Sequence, residues 1–339
     1  MNTEHMNTDA IFDVCAIGNA LVDVLSHEPH ELIDKLGLEA GAMNLVDAER
    51  ADEIYEAMGP GTEVSGGSAA NTTVGVVSFG SRSAFIGRIA DDTFGEVYRH
   101  DLLTAGVHFA ATVAPAGSEA TGRCLVMVTP DAQRTMCTFL GAGSSLDPSV
   151  VDDSIVAASK VLYLEGYLWD EPSAKLAFLH AADVAHKAGR QVALTLSDSF
   201  CVERHRAAFL ELVADHVDIL FANEPEICSL YEVDDFDAAV NRVAGQCAIA
   251  AITRSEHGSV VVADGERHAV SAVPVTVVDT TGAGDLYAAG FLVGLTRGRP
   301  FPECAQLASL AASEVISHLG ARPESSLLTL AGPLLDAGA

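Results

Sequence analysis

Asp279-Thr280-Thr281-Gly282-Ala283-Gly284-Asp285 is the stretch of this sequence that decides the fold. An apolar run, Val273 to Val278, precedes it and predicts a strand, and a second apolar run, Leu286 to Leu295, follows it and predicts a helix. Glycines let the backbone approach a ligand closely. The start of a helix presents unpaired N–H groups and the positive end of the helix dipole. The stretch therefore predicts an anion pocket, and phosphate is the usual anion.

Asp285 at the end of this stretch is unexpected, because a carboxylate in a phosphate pocket repels the phosphate. Its presence is explained if it faces a hydroxyl that attacks a phosphorus atom, as in a phosphotransferase. The same residue types also form an ordinary N-terminal helix cap. Taken alone, the stretch favours an ordinary helix cap. The motifs in the rest of the sequence favour a phosphotransferase site instead.

Length and composition indicate a globular protein. The 339 residues suit one large or two ordinary domains, and the 49% of hydrophobic residues supply an ample core. Met1–Ala10 is polar and has no apolar segment of a secretory signal, so we expect a short disordered tail. The seven cysteines are scattered without a Cys-x-x-Cys pair, which favours reduced thiols in a cytoplasmic protein.

The formal net charge of −28 argues against nucleic-acid binding, which needs a basic surface, and against an anionic membrane surface. No apolar run approaches the roughly 20 residues that cross a bilayer. The charge does not exclude ATP, because surface charges are screened within about 8 Å at physiological ionic strength.

Strand-like and helix-like segments alternate through most of the chain, which predicts an α/β fold with a mostly parallel sheet. The predicted strands are Asp13–Ile17, Ser83–Gly87, Val161–Leu164, Gln191–Leu196, Ile219–Ala222, Ile249–Thr253 and Ser259–Val262. The predicted helices are Ala69–Phe79, Ser173–Ala188, Arg204–Ala214, Phe236–Ala244 and Glu303–His318. Ligands of such sheets bind beyond the carboxyl ends of the strands.

Two regions depart from this alternation. Residues 36–64 contain a short apolar run, Ala42–Val46, and a predicted helix, Ala48–Met58. Residues 121–140 predict a hairpin, with Arg123–Thr129 and Thr135–Leu140 flanking Pro130-Asp131. We expect these segments to pair as a small β-sheet that projects from the main body and serves as a lid.

Two common phosphate-binding motifs and one hydrolase motif are absent. A Walker loop needs Gly-Lys, and the dipeptide is absent. A dinucleotide-binding fingerprint needs a third glycine where Tyr287 stands. A nucleophile elbow needs a second glycine where Ala70 stands. P-loop kinases, common dehydrogenases and α/β-hydrolases are therefore disfavoured.

Four motifs follow one another in a fixed order. They are Gly18-Asn19-Ala20-Leu21-Val22-Asp23, Gly66-Gly67-Ser68-Ala69-Ala70-Asn71, Asn223-Glu224-Pro225-Glu226 and the 279–285 stretch. Together they resemble the ribokinase (PfkB) family of carbohydrate and nucleoside kinases, from about residue 12 to residue 320. The resemblance implies a ribokinase-like three-layer α/β/α fold with a central, mostly parallel sheet and a small β-sheet lid.

The same resemblance implies a division of the chain. We expect residues 11–25, 66–110 and 142–330 to form the large α/β domain, and residues 26–65 and 111–141 to form the lid. Residues 1–10 would be the disordered tail.

Within the family, the sequence is most similar to the adenosine kinases. The matching segments are Gly18–Asp23, Gly87–Gly95, Tyr163–Tyr167, Leu196–Phe200 and Asp218–Glu224. It departs at Thr281, where adenosine kinases often have Asn, and at Tyr167-Leu168, where an aromatic pair would stack on the base. These departures leave adenosine and a plain sugar open as acceptors.

The resemblance assigns a role to several residues on the acceptor side. Asp23 and Asn71 would bind ribose hydroxyls, and Gly66 and Gly67 would bring the backbone to the sugar. Asn19 is a further candidate for this group. Tyr167 and Phe200 would contact the base, although two ordinary core aromatics would give the same pattern.

Phosphoryl transfer would use Asp285 to orient the acceptor hydroxyl and take its proton. The N–H groups of Gly282, Ala283 and Gly284 would stabilise charge on the transferring phosphoryl group. Arg134, in the predicted lid, would add a positive charge when the lid closes; a solvated hairpin residue is the plain alternative.

The ATP side is assigned in the same way. Glu226, with Asn223, would hold Mg²⁺ largely through water, and a helix start with an acidic first turn is the plain alternative. Thr253 and Gly258 would line the ATP pocket. Ala311, Ala312 and Ser313 would pack on its adenine. Asp279 and Thr281 resemble positions that bind a monovalent cation such as K⁺ in some relatives.

These assignments predict a cytoplasmic, Mg²⁺-dependent enzyme that transfers the γ-phosphate of ATP to the 5′-hydroxyl of adenosine, giving ADP and AMP. The first alternative is a sugar kinase acting on ribose, fructose or a related sugar. The second is a non-catalytic nucleoside or sugar sensor on the same fold. The expected partners are small molecules, and the sequence leaves monomer and homodimer open.

Overall fold

The structure is a computed structural model that describes residues 10–131 and 133–336. Within these residues there are sixteen strands, numbered in chain order: β1 Phe12–Ile17, β2 Leu21–His27, β3 Met43–Leu45, β4 Thr62–Gly66, β5 Ser83–Ile86, β6 Arg88–Ile89, β7 His108–Phe109, β8 Thr112–Val113, β9 Thr121–Val128, β10 Arg134–Gly141, β11 Ser159–Glu165, β12 Gln191–Thr195, β13 Ile219–Asn223, β14 Ile249–Thr253, β15 Ser259–Ala263 and β16 Glu266–Val270.

The same residues form twelve α-helices: α1 His30–Leu36, α2 Ala48–Ala57, α3 Ser68–Ser78, α4 Thr93–Thr104, α5 Asp153–Ala157, α6 Pro172–Lys187, α7 Ser199–Asp215, α8 Glu224–Tyr231, α9 Phe236–Val243, α10 Ala283–Thr296, α11 Phe301–Val315 and α12 Leu327–Asp336. The expected tail, residues 1–10, lies outside the described residues except for Ala10.

The large sheet has nine strands in the order β16-β15-β14-β13-β12-β11-β1-β5-β7. Its pairs are parallel from β14 to β7, and β15 and β16 add an antiparallel edge. The predicted α/β fold with a mostly parallel sheet is therefore confirmed. Because all these parallel strands run the same way, their carboxyl ends lie along one edge, where ligands of such sheets bind.

Helices cover both faces of the large sheet. Along β1, Val14 and Ala16 belong to one buried cluster, and Cys15 and Ile17 belong to a second cluster on the other face. This alternation follows from the two-residue period of a strand. Residues of α3, α10 and α11 fill the first cluster, and residues of α6 to α9 fill the second. The result is the three-layer arrangement that the resemblance implied.

The small sheet has five strands in the order β3-β10-β9-β2-β4. The predicted hairpin is present as β9 and β10, paired antiparallel. Strand β2, Leu21–His27, pairs with both β4 and β9. The expected boundary at residue 26 thus falls inside a strand of the small sheet.

Residues 273–278 do not form the strand that their apolar sequence predicts. They have no regular secondary structure, and Val273, Val275, Val277 and Val278 are exposed. The edge of the large sheet is β16, and the chain then leaves it toward α10, with the N–H of Val278 bonded to the carbonyl of Ile316 at 2.8 Å. β-branched residues favour a strand only where a neighbouring strand is present to pair with them.

Helix α7 consists of two parts. Asp198 caps the first part, which begins at Ser199, by accepting a hydrogen bond from the N–H of Cys201 at 2.6 Å. The backbone of His205 is not helical (φ −124°, ψ 17°), and the second part corresponds to the predicted helix Arg204–Ala214. Within residues 10–131 and 133–336, no helix combines the length and apolar character needed to cross a bilayer. All seven cysteines lie in the described part of the chain and are free thiols.

Candidate active site

The turn before α10 brings the chain sharply round into the helix. Gly282 is in the left-handed region at φ 78°, and a Cβ there would lie 2.7 Å from the carbonyl oxygen of Ala321. Gly284 is different, since a Cβ there would meet no atom within 4 Å. The helix start therefore opens onto free space at Gly284, as a pocket for an anion requires.

The backbone N–H groups at this helix start are not equivalent. The N–H of Ala283 donates to the carbonyl of Thr280 at 3.2 Å, so it closes the turn. The next N–H groups, of Gly284 and Asp285, have no partner within the helix, because the first turn of any helix lacks the preceding carbonyls. Of the three amides predicted to face a phosphoryl group, that of Gly284 is the best placed.

The carboxylate of Asp285 is clamped by the first turn of α3. Its Oδ1 accepts from the hydroxyl of Ser68 at 2.6 Å, and its Oδ2 accepts from the amide Nδ2 of Asn71 at 3.0 Å. The hydroxyl of Thr72 donates to the Asp285 carbonyl at 3.2 Å. Burial raises the pKa of Asp285 to about 6, while the bonds from Ser68 and Asn71 act to lower it. The residue as a whole is only partly buried.

The glycine pair at 66 and 67 brings three segments together. A Cβ at Gly66 would lie 2.2 Å from the carboxylate of Asp23, so a larger residue there would displace that side chain. Gly67, at φ 95°, leaves no room for a Cβ beside the carbonyl oxygen of Asn19, which would be 2.4 Å away. The pair thus fixes the start of α3 against β2 and against the turn that precedes it.

Asp23, on β2, faces the same cleft as Asp285. Burial raises the pKa of Asp23 to about 7; Arg322 and Arg134 act to lower it, and Asp285 acts to raise it further. Within the described residues, no hydrogen bond or ion pair engages the Asp23 carboxylate. The structure therefore brings together Asp23, Asn71 and Asp285, which the sequence placed in one site.

Asn19 lies beneath this cleft and is only 2% exposed. Its backbone N–H and its Nδ2 both donate to Oε1 of Glu165, at 3.3 and 2.8 Å. Glu165 also accepts from the N–H of Ala69 at 2.9 Å, so one carboxylate joins the end of β11 to α3 and to the β1–β2 turn. The donors of Asn19 therefore bind Glu165, while its Oδ1 is buried and has no hydrogen-bond partner among the described residues.

Glu165 was not singled out by the sequence motifs. It is 1% exposed, and burial raises its pKa to about 7 against the hydrogen bonds from Ala69 and Asn19. An acidic residue at the end of a parallel strand was the available signal, because that edge of the sheet holds the ligands. Ser68 was also missed, although it lies inside the second motif.

The lid contacts the turn before α10 through Arg134. Its Nη1 donates to the hydroxyl of Thr281 at 2.7 Å, and its Nη2 forms an ion pair with Oδ2 of Asp279 at 2.6 Å. Asp279 further accepts from the N–H and the hydroxyl of Thr281 and from the N–H of Gly320. A guanidinium therefore already neutralises the carboxylate expected to help bind a monovalent cation.

Asn223 and Glu226, at the start of α8, form a reciprocal capping box. The N–H of Glu226 donates to Oδ1 of Asn223 at 2.8 Å, and the N–H and Nδ2 of Asn223 donate to the two oxygens of Glu226 at 3.0 and 2.6 Å. Glu226 is 5% exposed, and burial raises its pKa to about 7. Each carboxylate oxygen has one donor and keeps a lone pair for a second.

This geometry fits Mg²⁺ held through water and not by direct coordination. A water bound to the ion could donate to the free lone pairs of Glu226, as expected for an ion that dehydrates reluctantly. Within the described residues, no group of three or more His, Cys, Asp or Glu side chains forms a direct metal cage.

Two of the remaining predicted ATP residues lie at the same edge of the sheet. Thr253 ends β14 beside Asn223, its parallel partner on β13. Gly258, at φ 82°, ends the turn between β14 and β15. Ala312 is partly exposed on α11, whereas Ala311 and Ser313 are buried, and the Ser313 hydroxyl bonds to the carbonyl of Leu310. Among these three residues of α11, only Ala312 has a side chain that is partly accessible to a ligand.

The two aromatic candidates differ in exposure. Phe200 is 71% exposed at the first turn of α7. Tyr167 is partly buried, and its hydroxyl donates to the carbonyl of Ser197 at 3.3 Å. Burial raises the pKa of Tyr167, and the charges of Asp198, Glu226 and Asp285 raise it further.

Comparison with known proteins gives a consistent result. Residues 33–327 match the sequence profile described as pfkB family carbohydrate kinase. An adenosine kinase structure from Sinorhizobium meliloti is 51% identical with a TM-score of 0.88, covering 96% of this chain and 99% of that chain.

Sugar kinases are also similar. A structure described as a probable sugar kinase protein from Rhizobium etli CFN 42 is 47% identical with a TM-score of 0.89, covering 96% of this chain and 98% of that chain. A 5-dehydro-2-deoxygluconokinase from Geobacillus kaustophilus is 28% identical over 268 residues, or 76% of this chain and 80% of the relative.

Proposed function

The chain belongs to the pfkB family of carbohydrate kinases, and we propose that it phosphorylates the 5′-hydroxyl of adenosine with ATP, giving AMP and ADP. The observation on which the proposal depends is the Asp285 carboxylate, held by Ser68 and Asn71 at the open start of α10. Such a carboxylate can orient an alcohol and take its proton.

The acceptor would lie between Asp23 and Asp285. Asp23 has no protein partner within the described residues and would accept hydrogen bonds from ring hydroxyls. Placing these hydroxyls at Asp23 would leave the primary hydroxyl facing Asp285. Holding the two reacting groups in this geometry would itself lower the barrier, since positioning supplies much of the catalysis of phosphoryl transfer.

The reaction would then proceed in one displacement. The acceptor oxygen forms a bond to the γ-phosphorus, its proton passes to Asp285, and the bond between the γ-phosphorus and the bridging oxygen breaks to release ADP. The N–H of Gly284 and the helix dipole would stabilise negative charge on the transferring group. Kinases of this family generally use Mg²⁺ with ATP; the ion neutralises phosphate charge, and Glu226 and Asn223 would hold it through water.

Adenosine as acceptor is supported by the 51% identity to an adenosine kinase structure and by Phe200. Phe200 lies in the first turn of α7, which follows the carboxyl end of β12, and its ring is 71% exposed, so a purine base could stack on it.

A sugar acceptor is the second candidate. Leu168 stands where a second aromatic ring would stack on a base, and it is 2% exposed inside the core. A protein without that ring could accept a free sugar, as the 47% identity to a probable sugar kinase also suggests. In that case the same Asp285 would act on the primary hydroxyl of the sugar.

The test is an ADP-release assay with Mg²⁺ and ATP over adenosine, other nucleosides, ribose, fructose and sugar acids. The expected result is that adenosine gives the highest kcat/KM and that AMP forms in equal amount to ADP. ADP release without acceptor serves as the blank. Turnover with sugars alone would reject adenosine, and ligand binding without ADP release would point to the sensor.

A further inference from the structure

Arg322 lies in the acceptor cleft, outside all four sequence motifs. It belongs to the loop of residues 320–326 between α11 and α12. The N–H of Gly320 bonds to Asp279 at 2.8 Å, and Ala321 packs against Gly282. The structure thus attaches this loop directly to the turn before α10.

The far end of the loop is also fixed. Oε1 of Glu314 accepts from the N–H groups of Glu324 and Ser325 at 3.0 and 2.7 Å. These bonds involve the backbone of the loop, so the position of residue 322 does not depend on its own side chain. A substitution at Arg322 should therefore leave the loop in place.

The Arg322 guanidinium makes one weak hydrogen bond, and one of its nitrogens is buried without an acceptor among the described residues. Its Nε donates to Oδ1 of Asn71 at 3.4 Å. Its Nη2 is buried and has no hydrogen-bond partner in the described part of the chain. A buried donor without an acceptor is costly, which is a reason to expect a ligand atom there.

The charges around Arg322 indicate which kind of ligand atom would bind its Nη2. Arg322 is the charged group that most lowers the pKa of Asp23, but no ion pair joins the two among the described residues. Asp101, the other nearby carboxylate, accepts from the N–H of Ser65 at 2.9 Å. A free cationic donor therefore lies close to a free carboxylate without bonding to it. A hydroxyl satisfies both, because it donates one hydrogen bond and accepts others.

The bond to Asn71 gives Arg322 a second effect. An amide can be turned either way, and the Nε–H of Arg322 favours the orientation with Oδ1 toward the guanidinium. The Nδ2 of Asn71 then faces Oδ2 of Asp285, at 3.0 Å. Arg322 thus acts on Asp285 through Asn71.

We propose that Arg322 is a specificity-determining residue for the acceptor: its Nη2 donates to the oxygen of a ring hydroxyl whose proton is donated to Asp23. The ligand class is a neutral polyol with vicinal ring hydroxyls. The proposal rests on the proposed kinase activity of this site, and it applies equally to a nucleoside and to a sugar. A simple structural role, in which Arg322 only supports the loop, is the alternative.

The test compares Arg322→Gln with the wild type on the active acceptor and on its analogues that lack one ring hydroxyl each. For adenosine these are 2′-deoxyadenosine and 3′-deoxyadenosine. The control is Arg206→Gln, which removes a charge at a remote ion pair with Glu232. Circular dichroism and thermal unfolding check that each variant is folded.

The expected result is a rise in KM for the full acceptor of roughly 10-fold or more, the usual loss for a hydrogen bond to a charged group, with a smaller fall in kcat. On the analogue that lacks the contacted hydroxyl, Arg322→Gln should change KM by less than about 2-fold, because the bond is already absent. An equal rise in KM on every acceptor would overturn the proposal.

Arg322→Lys is measured in parallel, and it tests the bond between residue 322 and the ring hydroxyl if the glutamine variant does not fold. It keeps the charge but lacks the fork that reaches Asn71 and the hydroxyl together. The same dependence on the hydroxyl is expected, and its absence would again overturn the proposal. If nucleosides give no turnover but a sugar does, adenosine is rejected, and the test is run with that sugar and its deoxy analogues.

Discussion

Asp285 shows how far a single residue can be interpreted from sequence. Its place after two glycines and before an apolar helix indicated an acid at a helix start. The sequence did not reveal that Ser68 and Asn71 grip both carboxylate oxygens, because those residues lie more than 200 positions away along the chain. Only the packing of α3 against α10 brings them together.

The raised pKa of Asp285 predicts the pH dependence of turnover. The deprotonated carboxylate is the active form, so kcat should fall as the pH decreases through about 6. Ser68→Ala removes a hydrogen bond that lowers the pKa of Asp285, so it should move the acid limb of the profile to higher pH. A profile of kcat against pH from 5 to 9, at saturating ATP and Mg²⁺, measures this shift.

Ser154→Ala is the matched control, since that hydroxyl bonds only to Asp152, on a remote helix cap. It should leave the profile unchanged. An acid limb that stays in place in Ser68→Ala would show that the limb reports another group, such as the phosphates of ATP.

Asn19 and Glu165 show what residue-level prediction leaves out. The motif assigned Asn19 to the ligand and did not indicate that its Nδ2 donates to the buried carboxylate of Glu165. A strand end that faces a ligand and one that faces a neighbouring loop have the same sequence pattern. The difference depends on which distant segment packs against the strand end. Motifs and apolar periods in a single sequence do not predict such long-range contacts.

At the scale of elements, seven of the nine strands of the large sheet were predicted, because their apolar periods are strong. The short strand β7, the edge strand β16 and several helices, α4 among them, were not predicted. Residues 273–278 have the composition of a strand but no neighbour to pair with. The small sheet was partly predicted from its hairpin. Strand β2 was not predicted, since it follows β1 after three residues and joins a different sheet.

The lid hairpin provides a prediction at this scale. Arg134, at the start of β10, contacts Thr281 and Asp279 beside the open start of α10. If it supplies positive charge to the transferring phosphoryl group, Arg134→Gln should lower kcat by about 100-fold, the usual effect of removing one such donor. The KM for ATP should change much less. Steady-state kinetics with the acceptor at saturation measures both.

Arg50→Gln is the control for this prediction, because Arg50 is also in the small domain but pairs with Glu53 on the surface of α2. It should retain wild-type kcat. Equal kcat values for Arg134→Gln and the wild type would assign Arg134 to holding the lid closed and not to the chemistry.

At the scale of the whole molecule, the family and the α/β fold suggested by four motifs are confirmed. The net charge of −28 does not describe the site, where the positive charges of Arg322 and Arg134 act on the carboxylate of Asp23. Charge on the surface acts on stability and solubility more than on mechanism.

The net charge of −28 predicts that salt stabilises the fold. Like charges repel one another in the compact state, and salt screens that repulsion. Most of the ion pairs in the described part of the chain have at least one exposed partner, as Lys187–Asp183 and Arg267–Asp237 do, and each such pair contributes only about 0–1 kcal/mol that salt could remove. The melting temperature should therefore rise by several degrees between about 0.05 and 0.5 M NaCl. Sucrose at equal osmolality controls for exclusion effects, and a melting temperature that falls with NaCl would contradict the prediction.

The most direct test of the account is the turnover number of Asp285→Asn. Asparagine fits the clamp, since its oxygen can accept from Asn71 while its NH₂ group donates to the Ser68 hydroxyl. Calorimetric titration with ATP should give an affinity close to that of the wild type, which shows that the site is intact. The account predicts a fall in kcat of at least about 1,000-fold with ATP still bound. A kcat within about 10-fold of the wild type would contradict it.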